Sequence, residues 1–315
     1  MARPVARGTE PIPSHYTKRG PELRTGRAGY ATGVTLYRQD STPDLIAPTF
    51  LVAFDGWVDA GAAATTAAGL LAEDGEVVAT FDADLLFDYR ARRPTLEIVG
   101  GRPASLEWPE LSVRLARVGD RDLLVLSGPE PDFRWHELSA ATIELAERLG
   151  VAEWIGIGAI PAAVPHTRPV PILGTESRPG LLRGDIPPGP DGVLRVPAAA
   201  LSILDIAAAG AGIPTVGYYA QIPHYLSGPY PAAAIELLRA VGRHLGEEVP
   251  LGSLPEDARQ LASRLEVAAA EESTRAYVER LESMVDEARR PSGDDLISEI
   301  ERFLRERGNG AGGRD

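Results

Sequence analysis

The stretch Thr49-Phe50-Leu51-Val52-Ala53-Phe54, followed at once by Asp55-Gly56-Trp57-Val58-Asp59-Ala60-Gly61, decides how the chain is read. An almost continuously apolar run of strand length must be covered on both faces, because a half-exposed strand would alternate apolar with polar. Gly56 permits a tight turn after it, and Asp59 stands directly before an Ala-rich helical run over residues 60–71. A doubly buried strand that feeds a helix is the unit of a parallel sheet.

The same alternation recurs on both sides. The pattern predicts strands over 34–37, 76–81, 95–99, 112–118, 122–126, 152–157, 170–175 and 214–219. It predicts helices over 135–149, 197–209 and 231–245, the last two opening on a proline. The crowded strands between residues 95 and 126 predict an antiparallel patch. The expected fold is therefore α/β: a mixed, mostly parallel sheet flanked by helices, occupying residues 30–250. Residues 251–306 read as a helical C-terminal extension. Leu261, Leu265, Ala268, Val278, Leu281, Val285 and Ala288 form a stripe for one long helix or a helical pair packed on the domain or a neighbouring subunit. Pro291-Ser292-Gly293 ends it, and a short amphipathic helix is predicted over 295–305. Residues 1–29, rich in Pro, Gly and Arg, and residues 307–315 are expected to be disordered.

Composition removes several function classes. There is no cysteine, hence no disulfide, thiolate nucleophile or Cys-based metal site. Lys18 is the only lysine, which leaves the folded part without the lysine of a P-loop or of Schiff-base chemistry. The leader holds six basic residues against two acidic ones, a charge of +4, so the net charge of −13 sets a body of −17, unsuited to nucleic acid. Neither a secretory h-region nor a membrane span is expected, and a cytoplasmic location is. The motifs G-x-S-x-G and H-E-x-x-H are missing, and no metal or cofactor is expected.

In an open parallel sheet, ligands meet the loops that leave the carboxyl ends of the strands. Those loops supply the candidate residues. After the first long strand come Asp55, Trp57 and Asp59; the bland alternative is a turn with a helix-capping Asp and a packing Trp. Next come Asp88, Tyr89, Arg90 and Arg93, able to hold an anion or a partner's carboxylates, or simply a loop that satisfies its own charges. Glu130 stands in a Pro-stiffened loop, His166-Thr167-Arg168 form the most polar group after strand 152–157, and His224-Tyr225 follow strand 214–219. Either these groups converge on one polar pocket, or they are structural residues.

The chain resembles the PAC2 family, named after the proteasome assembly chaperones, and its actinobacterial branch in particular. The resemblance is carried by Phe54–Gly61, Phe87–Pro94, Gly128-Pro129-Glu130-Pro131, Gly158 with Pro165–Pro169, and Pro223-His224-Tyr225. It implies a phosphorylase/hydrolase-like fold, a homo-oligomer (a trimer in this branch) and no established catalytic activity. Eukaryotic and archaeal relatives bind proteasome α-subunits through a hydrophobic–Tyr–any tail. The sequence closes on Gly312-Gly313-Arg314-Asp315, so that mode of docking is not expected. The favoured expectation is a non-catalytic protein-binding or assembly factor. The alternative is a hydrolase or phosphorylase-like enzyme for a small polar substrate.

Overall fold

The computed structural model describes residues 35–190 and 192–288; the leader, the tail and the helix expected over 295–305 lie outside the described residues. In chain order the elements are β1 (Tyr37–Gln39), β2 (Thr49–Asp55), a 3-10 turn (Ala60–Ala62), α1 (Ala63–Ala72), β3 (Glu76–Phe81), α2 (Ala83–Leu86), β4 (Thr95–Val99) and β5 (Arg102–Glu107). Then follow β6 (Ser112–Val118), β7 (Arg121–Pro129), α3 (Trp135–Arg148), β8 (Glu153–Ala162), β9 (Ile172–Glu176) and α4 (Ala200–Gly210). The last are β10 (Thr215–Pro223), α5 (Pro231–Leu245), α6 (Leu254–Ala268) and α7 (Glu272–Ala288).

Eight strands form one mixed sheet in the order β1-β3-β6-β7-β2-β8-β10-β9. The central four, β7-β2-β8-β10, are parallel, while the pairs toward both edges are antiparallel. β2 is central and buried on both faces, as its apolar run requires. Phe50, Val52 and Phe54 point into the core beneath α3 and α4, and Leu51 and Ala53 into the core beneath α1 and α5. Phe50 stacks on Trp154 with ring centroids 4.8 Å apart, and both are fully buried. Each such side chain contributes about 2–3 kcal/mol. α1 buries Ala63, Ala64, Ala67, Ala68 and Ala72, small residues that let the helix lie close on the sheet. α5 opens on a proline and ends at Gly246, whose φ of 75° closes the helix in a left-handed residue.

Several boundaries differ from the sequence pattern. β8 and β10 run on to Ala162 and Pro223, through small residues and prolines that read as loop. Gly158 is small for a packing reason: a Cβ there would lie 2.8 Å from the Tyr219 ring. Pro161 is tolerated because on the β2 side β8 pairs in register only up to Gly156, with a last bridge at Ala159. β1 is Tyr37–Gln39, the expected start at Val34 lying outside the described residues, and α4 begins at Ala200 rather than 197. β4 pairs with β5, which the pattern did not reveal, in a separate hairpin whose residues are all exposed. β5 carries Pro103 and buries no face, so it lacks both signals of a strand. The extension is a helical pair, α6 and α7. Among the described residues no helix is long and apolar enough to cross a membrane.

Candidate functional site

β2 and β8 separate after the pair Val52–Gly156. The connection after β2 leads to β3 on one side of the sheet, and the one after β8 leads toward β10 on the other. This divergence is the topological position at which an open α/β sheet forms its ligand crevice. Here the chain fills it. The turn after β2 folds into the gap, where the Ala159 amide donates to the Val58 carbonyl at 2.6 Å and Asp59 bridges to Ala159.

The carboxylates in this turn serve the backbone. Asp59 accepts from the amides of Ala64 at 2.7 Å and Thr65 at 3.3 Å, and from the Thr65 hydroxyl. It caps α1, whose first residues would otherwise leave these donors unpaired. Burial raises the Asp59 pKa, against the pull of the Thr65 and Ala64 hydrogen bonds. Glu130, at the end of β7, accepts from the Ala200 amide at 2.7 Å. It provides from another strand the cap that Ala199, with no polar side chain, cannot give α4. Its second oxygen lies 3.5 Å from the Trp57 amide.

Asp55 and Glu130 are brought together, because β2 and β7 are parallel neighbours in register from Thr49–Leu123 to Asp55–Pro129. The guanidinium that meets Asp55 is that of Arg92, not Arg93. Arg92 Nη1 donates to Asp55 Oδ1 at 2.8 Å, and its Nε lies 3.9 Å from Asp132. Asp132 also accepts from the Asp88 amide at 2.9 Å. Asp88 in turn accepts from the Arg90 amide at 2.9 Å, so it organises its own turn. The Tyr89 hydroxyl donates to Asp84 at 2.6 Å; burial, with that carboxylate beside it, pushes the phenol up to about 12. Its ring meets Trp108 edge-on at 4.8 Å. Arg90 and Arg93 are exposed. So are Trp57 at 63% and Phe133 at 49%, the large aromatics of these rim loops.

The remaining candidates form a second group, after β8 and β10. The His166 amide donates to the Tyr225 oxygen at 2.9 Å, and that hydroxyl lies 2.8 Å from His166 Nδ1. The hydroxyl proton is therefore directed at Nδ1 and the ring proton sits on Nε2, which is buried without a partner among the described residues. Burial lowers the His166 pKa. His224 Nδ1 donates to the Ala162 carbonyl at 2.9 Å, and its Nε2 meets the Tyr277 hydroxyl at 2.9 Å. Arg168 pairs with Glu282 at 3.0 Å and Asp286 at 2.8 Å, and the Thr167 hydroxyl donates to Glu282. Tyr277, Glu282 and Asp286 all belong to α7. The predicted residues thus divide: one group braces the β2 and β7 ends, the other holds the C-terminal helix.

Depressions of about 440, 560 and 630 Å³ lie elsewhere, and none is lined by a candidate residue. The first lies between α1, α5 and α6, where the Tyr230 amide donates to the Gly61 carbonyl at 2.9 Å. At the opposite end of the sheet Glu153 accepts from Thr49 at 2.7 Å and Arg121 at 2.8 Å and meets His244 at 3.3 Å. The His244 contact, with Thr49 and Arg121, holds its pKa down at about 2. Asp205 of α4 accepts from Trp154 Nε1 at 2.8 Å, and desolvation raises it to about 7. Neither group was signalled by the sequence, since their partners come from distant elements. Among the described residues no cluster of His, Asp or Glu could hold a metal ion.

No curated protein matches the chain. The family model described as the PAC2 family matches residues 53–269. A Corynebacterium glutamicum protein of unknown function is 32% identical, with a TM-score of 0.76 over 80% of this chain and 97% of its own. A Streptomyces avermitilis PAC2 family protein is 37% identical, with a TM-score of 0.65 over 73% and 99%. A Mycobacterium tuberculosis proteasome-assembly chaperone homologue is 33% identical, with a TM-score of 0.67 over 73% and 99%. The family match includes Asp59 and Glu130, and by these likenesses the chain belongs to the PAC2 family.

Proposed function

We infer that this chain is a non-catalytic protein-binding factor of the assembly-chaperone kind, which docks its partner on the rim formed by the β2 and β7 loops. One observation carries this reading: the crevice between β2 and β8 is filled by the chain's own turn, through the Ala159–Val58 hydrogen bond. The carboxylates that chemistry would need are occupied in capping helices, Asp59 on α1 and Glu130 on α4. What the rim offers outward is aromatic, Trp57 and Phe133, beside the Arg92–Asp55 pair. Exposed Trp with Arg and a polar surround is the composition of protein interfaces. The likeness to a proteasome-assembly chaperone homologue supports proteasome subunits as the partner class. In this reading the protein works in the cytoplasm as a homo-oligomer and carries no cofactor.

The test combines the purified full chain with the proteasome α- and β-subunits of its own source in size-exclusion chromatography. Co-elution with the α-subunits is expected, and Trp57→Ala with Phe133→Ala should weaken it at least tenfold by about 1–2 kcal/mol per aromatic. Absence of any complex at micromolar concentrations overturns the reading. So does turnover of a small ester or phosphate substrate that disappears in Asp55→Asn.

A further inference from the structure

α6 ends at Ala268 and α7 begins at Glu272. The residues between them, Ala269-Ala270-Glu271, are strong helix formers, without the Gly, Asn or Pro that ordinarily stops a helix. None adopts a left-handed backbone, and Ala269 keeps φ −77° and ψ 0°. The bend is held locally by Arg275 Nη2 on the Ala270 carbonyl at 3.1 Å and the Ser273 hydroxyl on Glu271 at 2.9 Å. Residue preference across this turn is for one uninterrupted helix, and it is opposed by these two exposed hydrogen bonds and by the docking of α7.

Val278 and Leu281 are the buried apolar residues of that docking. The remainder is polar: Tyr277 on His224, Glu282 on Thr167 and Arg168, Asp286 on Arg168. These polar contacts are made by one helix face against two loops, so an identical helix from elsewhere can make each of them. Exchange of an identical element through a hinge that prefers to straighten is a low-cost route to association.

We propose that α7 is exchanged between two copies of this chain: α6 and α7 straighten through Ala269-Ala270-Glu271, and α7 of one copy seats against His224, Thr167 and Arg168 of the other. The inference stands apart from the assembly-factor reading, because it concerns only the chain's own helix.

The absence of cysteine makes the test clean. Full-length Thr167→Cys and Glu282→Cys chains are mixed, incubated and treated with a short bis-maleimide; in both, Arg168 keeps its pair with Asp286. Exchange gives a covalent product of twice the chain mass. Met284→Cys, on an exposed position of α7, serves as the collision control with Thr167→Cys. Placing Ala269→Gly and Ala270→Gly in both chains should lower the yield about 25-fold, since each glycine disfavours a continuous helix about fivefold. The double variant Thr167→Cys/Glu282→Cys reports the closed form as an intramolecular product. The proposal is overturned if the mixed pair gives no more dimer than the control pair, or if the glycines leave the yield unchanged.

Discussion

The Glu130 amide donates to the Asp55 carboxylate at 3.1 Å and to the Asp55 carbonyl at 3.2 Å, so the ends of β2 and β7 are tied together by one residue on each. Asp55 also receives Arg92, and its side chain is 48% exposed. Asp55→Ala removes the ion pair but leaves Glu130 its carbonyl partner. Solvent screening limits the loss to about 1 kcal/mol. The urea midpoint should fall by that amount at unchanged slope, and less in high salt.

Asp59 separates a capping role from a chemical one. Asp59→Ala strips three donors of their acceptor at the start of α1 and should cost about 2 kcal/mol. Asp59→Asn keeps an oxygen for the Ala64 and Thr65 amides and should lie within about 1 kcal/mol of the parent chain. Equal losses in the two variants, measured by chemical denaturation, would sink the capping account.

Glu153 predicts an acid limb to the stability curve. Its folded pKa is depressed from 4.5 to about 2, so the unfolded chain takes up a proton first as pH falls. The stabilisation is complete above about pH 5 and is lost as pH drops toward 2, amounting to at most about 3 kcal/mol. Melting temperatures of Glu153→Gln should fall less steeply than those of the parent over this window.

Asp205 works in the opposite sense. Desolvation raises its folded pKa from 3.8 to about 7, so the folded chain holds its proton more tightly than the unfolded one. Its contribution is greatest below pH 4 and declines as pH rises through 7. Asp205→Asn, which still accepts from Trp154, should be more stable than the parent chain at pH 8 and little changed at pH 5. A loss at pH 8 would refute the assignment of a costly buried charge.

The central architecture could be read from sequence because the signals there are strong and local. β2 is an unbroken apolar run, and α5 is framed by Pro231 and Gly246. The contact of Asp55 with Glu130 was legible through strand ends alone, since parallel neighbours bring their exit loops together. The pairing with α7 was not legible, because Arg168 meets Glu282 and Asp286 across a long stretch of chain. That Arg92 is the one to meet Asp55 was not legible for a related reason: in a run of adjacent guanidinium groups, only the folded turn decides which one points inward. The continuation of β8 and β10 was hidden by Gly158 and Pro161, residues selected for a close ring and a missing neighbour rather than for strand propensity.

The strand order also constrains how the protein emerges from the ribosome. β2 is translated early, yet both of its neighbours, β7 and β8, are encoded far downstream. At ordinary synthesis rates of about 5–20 residues per second, Phe50, Val52 and Phe54 stay uncovered on the order of ten seconds before β7 arrives. Slowing translation between β2 and β7 should therefore lower its soluble yield.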